Sequence, residues 1–229
     1  MYKYETHLHT YPVSKCAKKT VRENLEFYKS IGYDGVFITN HFIDANINIE
    51  KDRSYEEKIN FYFSDYEEGL KIGEEIGLKV FCGVENNLEG THFLIYGLDK
   101  QWFLEHAEIV GMKMSKQLAL FMENGAFIVQ AHPFREDTWI DHIQLFPNGV
   151  HGVEVINAGR DDFTNGMAKI YAEHYGKLML AGSDNHAGAD VKRLAGIETE
   201  APIAEVSDFI ELAMSGKTRI FDMPNPLKN

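Results

Sequence analysis

The strongest constraint on this chain's fold is a recurring unit. A short, nearly all-apolar run with strand character ends in one or two polar residues and gives way to a segment with helical periodicity. Seven such runs are readable, at Tyr2–Thr6, Val36–Thr39, Lys79–Val84, His92–Tyr96, Phe127–Gln130, Gly152–Ile156 and Leu178–Ala181. Between the first two, Thr20 and Glu23 form a capping-box pattern, and Val21, Leu25, Tyr28 and Ile31 recur at helical spacing until Gly32. Ser54 with Glu57 opens a second helix, which carries Ile59, Tyr62, Phe63 and Tyr66 toward the core and closes at Gly77. A long helix is expected from Phe103 to Asn124, stopped by Gly125, and a further helix ends at Gly176. Apolar strands interleaved with helices predict a parallel sheet covered on both sides, as a barrel or a doubly wound sheet. At 229 residues and 44% hydrophobic, the chain is expected to form one domain spanning 1–229.

The residues directly after each strand narrow the reading. The first strand runs into His7 and His9, the second into Asn40 and His41, the third into Glu85, the fifth into His132, the sixth into Asn157 and the seventh into Asp184 and His186. Residues i and i+2 of a strand share a face, so His7 and His9 can present two imidazoles to one ion. Parallel strands bring their C-terminal ends to one face, where barrel enzymes build their sites. His106, His142, His151 and His174 fall in helical or loop contexts and read as solvated or structurally satisfied.

Composition excludes several classes. A net charge of −12 argues against a long nucleic-acid footprint, which needs a basic stripe. No apolar run is long enough to span a bilayer, and the N-terminus opens on a strand rather than a signal segment, so a cytoplasmic setting is expected. Two cysteines, Cys16 and Cys82, cannot build a disulfide framework.

The motifs "HLH" at His7 and His9, "ITNH" ending at His41, "GVE" ending at Glu85, "HFLIYG" from His92, "AHP" at His132 and "GSDNH" with Asp184 and His186 resemble, in order, those of the polymerase and histidinol phosphatase (PHP) family. The resemblance implies a distorted seven-stranded β/α barrel of metal-dependent phosphoesterase type. It also implies that His7, His9, Glu85 and Asp184 hold one ion, that Glu85, His92 and His132 hold a second with Glu85 bridging, and that His41 and His186 belong to a third position. The chain departs from the family at two points. Lys15, in "VSKC", stands near where an Asp or His ligand is usual, and Asn40 stands where Asp usually precedes His.

Mixed imidazole and carboxylate donors suit two or three divalent ions of the Zn²⁺, Mn²⁺ or Fe²⁺ kind. Two such ions about 3.5–4 Å apart acidify a shared water to hydroxide and neutralise a transferring phosphoryl group. Arg135 in "AHPFRE" and Arg160 in "NAGR" come just after site-bearing strands and offer forks for phosphate. Lys15, if turned inward, would supply positive charge in place of the third ion. The expected function is hydrolysis of a small phosphorylated substrate. A nuclease of the same family and a metal-binding protein with a decayed site are the alternatives. Substrate choice is expected to lie in the loops Ile43–Ser54 and Asp137–Gly149.

Overall fold

The structure, a computed structural model, describes residues 1–43, 45–88 and 90–228; Asp44, within the expected substrate loop Ile43–Ser54, lies outside the described residues. Its strands are β1 (Tyr2–Leu8), β2 (Gly35–Ile38), β3 (Lys79–Leu88), β4 (Thr91–Tyr96), β5 (Phe127–Ala131), β6 (Gly152–Asn157), β7 (Leu178–Gly182), β8 (Arg193–Thr199) and β9 (Thr218–Pro224). The α-helices are α1 (Val21–Ser30), α2 (Tyr55–Ile76), α3 (Lys100–Glu105), α4 (Met114–Glu123), α5 (Asp162–His174) and α6 (Val206–Met214). All the strands join one sheet in the order β7-β6-β5-β4-β3-β2-β1-β8-β9.

One end of this sheet, β7, folds back against β1. Thr6 Oγ1 donates to the Ala181 carbonyl at 2.6 Å, Asn185 N donates to His7 O at 3.2 Å, and His9 N donates to Asn185 O at 3.1 Å. These bonds lace the end of β7 to the end of β1 and give the sheet a barrel form.

Two expectations are corrected. The sheet has nine strands among the described residues rather than seven, because "RLAGIET" and "TRIFDMP" pair antiparallel as β8 and β9, with β8 lying against the start of β1. The sheet is also mixed rather than parallel. Strands β1–β2–β3 and β5–β6–β7 run parallel, but β4 is antiparallel to both β3 and β5. The connection between Leu88 and Thr91 is far too short for a crossover helix, and Gly90 in that turn has φ 83°, a conformation that glycine adopts without strain. The reversal has a functional consequence: the N-terminal end of β4, with His92, falls at the same end of the barrel as the C-terminal ends of its parallel neighbours.

The long helix expected over Phe103–Asn124 is broken. Asp99 caps α3 by accepting from Trp102 N, a single 3₁₀ turn covers Ala107–Ile109, and Gly111 at φ 75° separates it from α4. The first two helices start as expected, with both capping boxes closed at Thr20 and Ser54 and Gly77 left-handed at the end of α2.

Side chains alternate between two layers along the strands. Phe37, Phe81, Leu94, Tyr96, Phe127 and Val129 pack with Phe209 of α6, whereas Val36, Ile38 and Val80 pack outward with α1 and α2. Phe209 is fully buried and meets Phe37, Tyr96 and Phe127 at ring-centroid distances of 4.7, 5.1 and 5.7 Å, so α6 is part of the aromatic core. Among the described residues no helix is long and apolar enough to cross a membrane.

Truncating Phe209 to Ala should cost about 3–5 kcal/mol, the range for a buried Phe that leaves a cavity. Urea denaturation reads this directly, and a loss of less than about 0.5 kcal/mol, the range of surface substitutions, would place α6 outside the cooperative core.

Candidate metal centre

One buried carboxylate organises the polar end of the barrel. Glu85 Oε1 lies 2.7 Å from His92 Nδ1 and 3.3 Å from both His7 Nε2 and His132 Nε2. Its Oε2 lies 2.5 Å from His41 Nδ1 and 3.5 Å from His9 Nε2. Asp184 supplies the second carboxylate. Its Oδ1 is 3.5 Å from His7 Nε2 and 3.3 Å from His9 Nε2, and its Oδ2 is 3.8 Å from His132 Nε2.

Among the described residues four sets of donors converge within 4.8 Å: His7, His9 and Asp184; His7, Glu85 and His132; His41, Glu85 and His92; and His9, His41 and His186. The first set holds three of the four residues expected for one ion, His7, His9 and Asp184, but not the fourth, Glu85. The expected partners His92 and His132 both reach Glu85 but in separate sets, and His9 joins His41 and His186. All eight expected metal-type residues are thus brought to one place.

Divalent cations fit this donor set. His41 Nδ1 and Glu85 Oε2 face each other but lack hydrogen-bond geometry, so both atoms are buried without a hydrogen-bond partner. A buried polar atom left unpaired is costly, and a cation between such atoms removes that cost. His7 and His9 likewise aim their Nε2 atoms 3.1 Å apart, the arrangement of two imidazoles converging on one point.

The electrostatics favour the ligand form of both carboxylates and of His9 and His92. At His7, His41 and His186 burial is outweighed by acidic neighbours, Glu154, Glu85 and Asp184 among them, which push these rings up toward the protonated form that a metal must displace. Burial would raise the Glu85 carboxyl, but the charges of His92 and His41 and the hydrogen bond from His132 outweigh it and hold the group well below the carboxylate range. Burial is likewise outweighed at Asp184, which His7 and His9 hold down. Burial drives His92 down to about 4, and burial with the neighbouring His186 and His41 drives His9 down as well, so both rings stay neutral. Neutral imidazole and ionised carboxylate are the species that bind metal.

An outer layer orients the donors. Glu154 Oε1 faces His7 Nδ1 at 2.8 Å, while its Oε2 accepts from His132 N at 3.0 Å and Asn157 Nδ2 at 2.9 Å. Ser14 Oγ faces His9 Nδ1 at 3.1 Å, accepts from His41 N at 3.0 Å and donates to Asn40 Oδ1 at 2.8 Å. Asn40 Nδ2 in turn donates to Asp65 Oδ2 at 3.0 Å. The negative charge missing at Asn40 therefore lies one hydrogen bond deeper, on α2. Sequence reasoning missed Glu154, Ser14 and Asp65. Only Glu154 left a signal, as a lone carboxylate within the apolar strand "GVEVI". Two donors also carry unusual backbone: His132 has φ 27° and Asp184 φ 52°, conformations that non-glycine residues keep where the surroundings compel them.

The three expected non-ligand residues divide. Lys15 is exposed, which removes the expectation that its ammonium replaces an ion; the next residue, Cys16, turns inward instead, its Sγ 3.2 Å from His41 Nε2. Arg160 Nη2 lies 3.7 Å from Asp184 Oδ2. Arg135 lines a small cavity with His92 and His132, pairs with Asp137 at 3.2 Å and lies 4.9 Å over the Trp139 ring. Of the histidines read as structural, His106 is stacked on Trp102 and His151 Nδ1 accepts from Ile128 N.

No protein-family model matches the chain, and no curated protein matches its sequence. Solved structures do. A two-domain Bacteroides vulgatus protein containing a predicted PHP-like metal-dependent phosphoesterase superposes with a TM-score of 0.68 at 16% identity; the match covers 96% of this chain and 64% of that one. This chain thus spans less than two thirds of that protein. A candidate metal-dependent phosphoesterase from Bifidobacterium adolescentis matches with a TM-score of 0.56 at 15% identity, over 81% of this chain and 88% of that one. An amidohydrolase from Chromobacterium violaceum, with bound sulfate and no metal, matches with a TM-score of 0.54 at 13% identity, over 94% and 97% of the two chains. At these identities the likeness is one of fold.

Glu85→Gln should lower the number of divalent ions retained after reconstitution more than any other single conservative change at the site, because it removes one charge from every set that contains Glu85. Elemental analysis measures this, and unchanged stoichiometry would refute the hub role. Beneath the site, burial pushes Glu5 up to about 7 although Ser183 N, His7 N and Tyr28 Oη donate to it. The folded state therefore holds a proton that the unfolded chain has lost, and this group's contribution to stability falls as pH rises from its ordinary value of 4.5 to about 7. Glu5→Gln should gain stability relative to the parent across that window, read as denaturation midpoints at its two ends.

Proposed function

We propose that this chain is a metal-dependent phosphoesterase of the PHP type, acting on a small phosphorylated substrate in the cytoplasm. The observation that carries the reading is the company the donors keep. Two arginines stand at the rim of the converging carboxylates and imidazoles, and each has a buried Nε with no hydrogen-bond partner. A phosphate dianion would satisfy both forks.

His7, His9 and Asp184 would hold one ion and Glu85, with His132, His92 or His41, a second; Zn²⁺, Mn²⁺ and Fe²⁺ all suit these donors. When bound, such ions acidify a water and neutralise charge on the phosphoryl group. The protein's own residues supply the rest. Glu85 and Asp184 balance the added cationic charge, and Glu154 and Ser14 hold His7 and His9 in the required orientation. Arg135 and Arg160 orient the phosphate and hold the charge that develops on its oxygens.

Hydrolysis of an amide is the second reading, favoured by the fold shared with the Chromobacterium violaceum amidohydrolase. An amide gives the two arginines no dianion to bind, which favours the phosphoester. The net charge of −12 weighs against a nucleic-acid substrate.

A phosphate-release screen over phosphomonoesters and diesters, run beside a panel of N-acyl substrates with Mn²⁺, Zn²⁺ or no metal, tests the reading. Metal-dependent phosphate release is expected, and turnover confined to amides would overturn it. Arg135→Lys should lower kcat/KM by roughly 10- to 1000-fold with metal content intact, as expected for a donor worth ~2–4 kcal/mol in the transition state. An unchanged kcat/KM would return Arg135 to its pairing with Asp137.

A further inference from the structure

The site contains one nucleophilic side chain that phosphoester hydrolysis leaves without a role. Cys16 lies in the segment after β1, its Sγ 3.2 Å from His41 Nε2, and the His186 ring, 5.6 Å from that of His41 between centroids, is the second imidazole on this side of the site. The segment is fixed on both sides: Lys15 N donates to Asn46 O, Ala17 N to Ser14 O, and Lys18 N to the backbone carbonyl of His186 itself. The other nitrogen of each imidazole points elsewhere. His186 Nδ1 faces the Asp184 carbonyl at 2.9 Å, which sets the ring so that Nε2 is its free atom. His41 Nδ1 is turned to Glu85 Oε2 in a buried position without a hydrogen bond, which leaves Nε2 on the Cys16 side.

We propose that Cys16, His41 and His186 form a thiolate and bis-imidazole site for a borderline-soft divalent cation, one that takes Zn²⁺ in preference to Mn²⁺ or Mg²⁺. The proposal rests on the metal-centre reading and adds a sulfur donor to it. Sulfur and imidazole donors discriminate by softness, and an oxygen-preferring ion gains nothing from Cys16. On binding, the thiol proton passes to solvent and a sulfur lone pair forms the bond, with no change of oxidation state. Three protein donors leave a fourth tetrahedral position open to water or a substrate oxygen. The setting differs from that of a thiol used as a small hydrophobe. Cys82 has that setting, packed against an apolar cluster with its sulfur 3.6 Å from the Gly83 carbonyl.

The test uses the whole chain, stripped by chelator and titrated with Co²⁺. A sulfur-to-cobalt charge-transfer band is expected in the near ultraviolet; Cys16→Ser should abolish it and Cys82→Ser should keep it. Competition with a chelator should show Zn²⁺ bound at least about 10- to 100-fold more weakly at one position of Cys16→Ser, since losing a ligand costs no less than losing a residue that orients one. In the unmutated protein, Zn²⁺ but not Mg²⁺ should protect Cys16 from iodoacetamide, a measurement that needs no variant to fold. Co²⁺ uptake without the band, a band that survives Cys16→Ser, or alkylation of Cys16 indifferent to Zn²⁺ would overturn the sulfur ligand and leave the metal centre standing. Failure to take up any ion would overturn both.

Discussion

The structure depends on burying two carboxylates together. Glu85 and Asp184 meet at the polar end of the barrel, where an isolated buried carboxylate would be costly to keep ionised. Six imidazoles surround them, and that ring of partners keeps both acids charged. Much of the surrounding architecture answers the need to hold those rings in place. His7 is turned by Glu154, His9 by Ser14 and His186 by a backbone carbonyl. These supports come from three separate places, the interior of β6, the segment after β1 and the segment after β7, so the site is intact only when the barrel is laced shut from β7 to β1.

The mixed sheet serves the same end. A parallel β4 would carry His92 to the opposite face of the barrel, because His92 stands near the start of its strand. The tight reversal after β3 brings it back beside Glu85 in antiparallel register, where Asn87 pairs with His92 and Glu85 with Leu94. The short hairpin therefore takes the place of a crossover helix without loss to the site. The barrel core gains its closing layer from α6 instead, through Phe209.

Much of this was legible in the chain, and the residues that escaped did so for physical reasons. The seven apolar strands, the two capping boxes and seven of the eight donors were visible because strands buried on both faces leave continuous apolar runs, and because polar residues directly after such runs stand out. His92, which starts its strand, was reached only through the resemblance to the PHP family. The direction of β4 was not visible, since an apolar run looks the same in either orientation. Strand β9 alternates exposed and half-buried residues at the sheet edge, and that pattern resembles a loop. The broken helix shows the limit of periodicity: apolar spacing continues through 103–124, but the chain leaves the helix at His106, passes through a 3₁₀ turn and turns left-handed at Gly111 before α4 begins. Ser14 and Asp65 are ordinary residues in sequence. Only folding makes them supports, when the segment after β1 meets α2. Lys15 and Cys16 are neighbours whose exchange of roles turns on which side chain faces inward, and composition does not register that.

The left-handed backbone at His132 and Asp184 sets the mutational tolerance of this site apart from that of an ordinary donor cluster. At Glu85, within a regular strand, a replacement is judged by charge and length alone. At 132 and 184 it is judged first by whether its backbone can take a positive φ, so β-branched side chains are excluded there whatever their chemistry. Asparagine, the side chain that best endures that conformation after glycine, is nearly isosteric with Asp184. In a saturation library the survivors at these two positions would therefore be sorted by conformation before they were sorted by affinity. Asp184→Asn would then be the one substitution that isolates the carboxylate's charge from the shape of the chain that carries it.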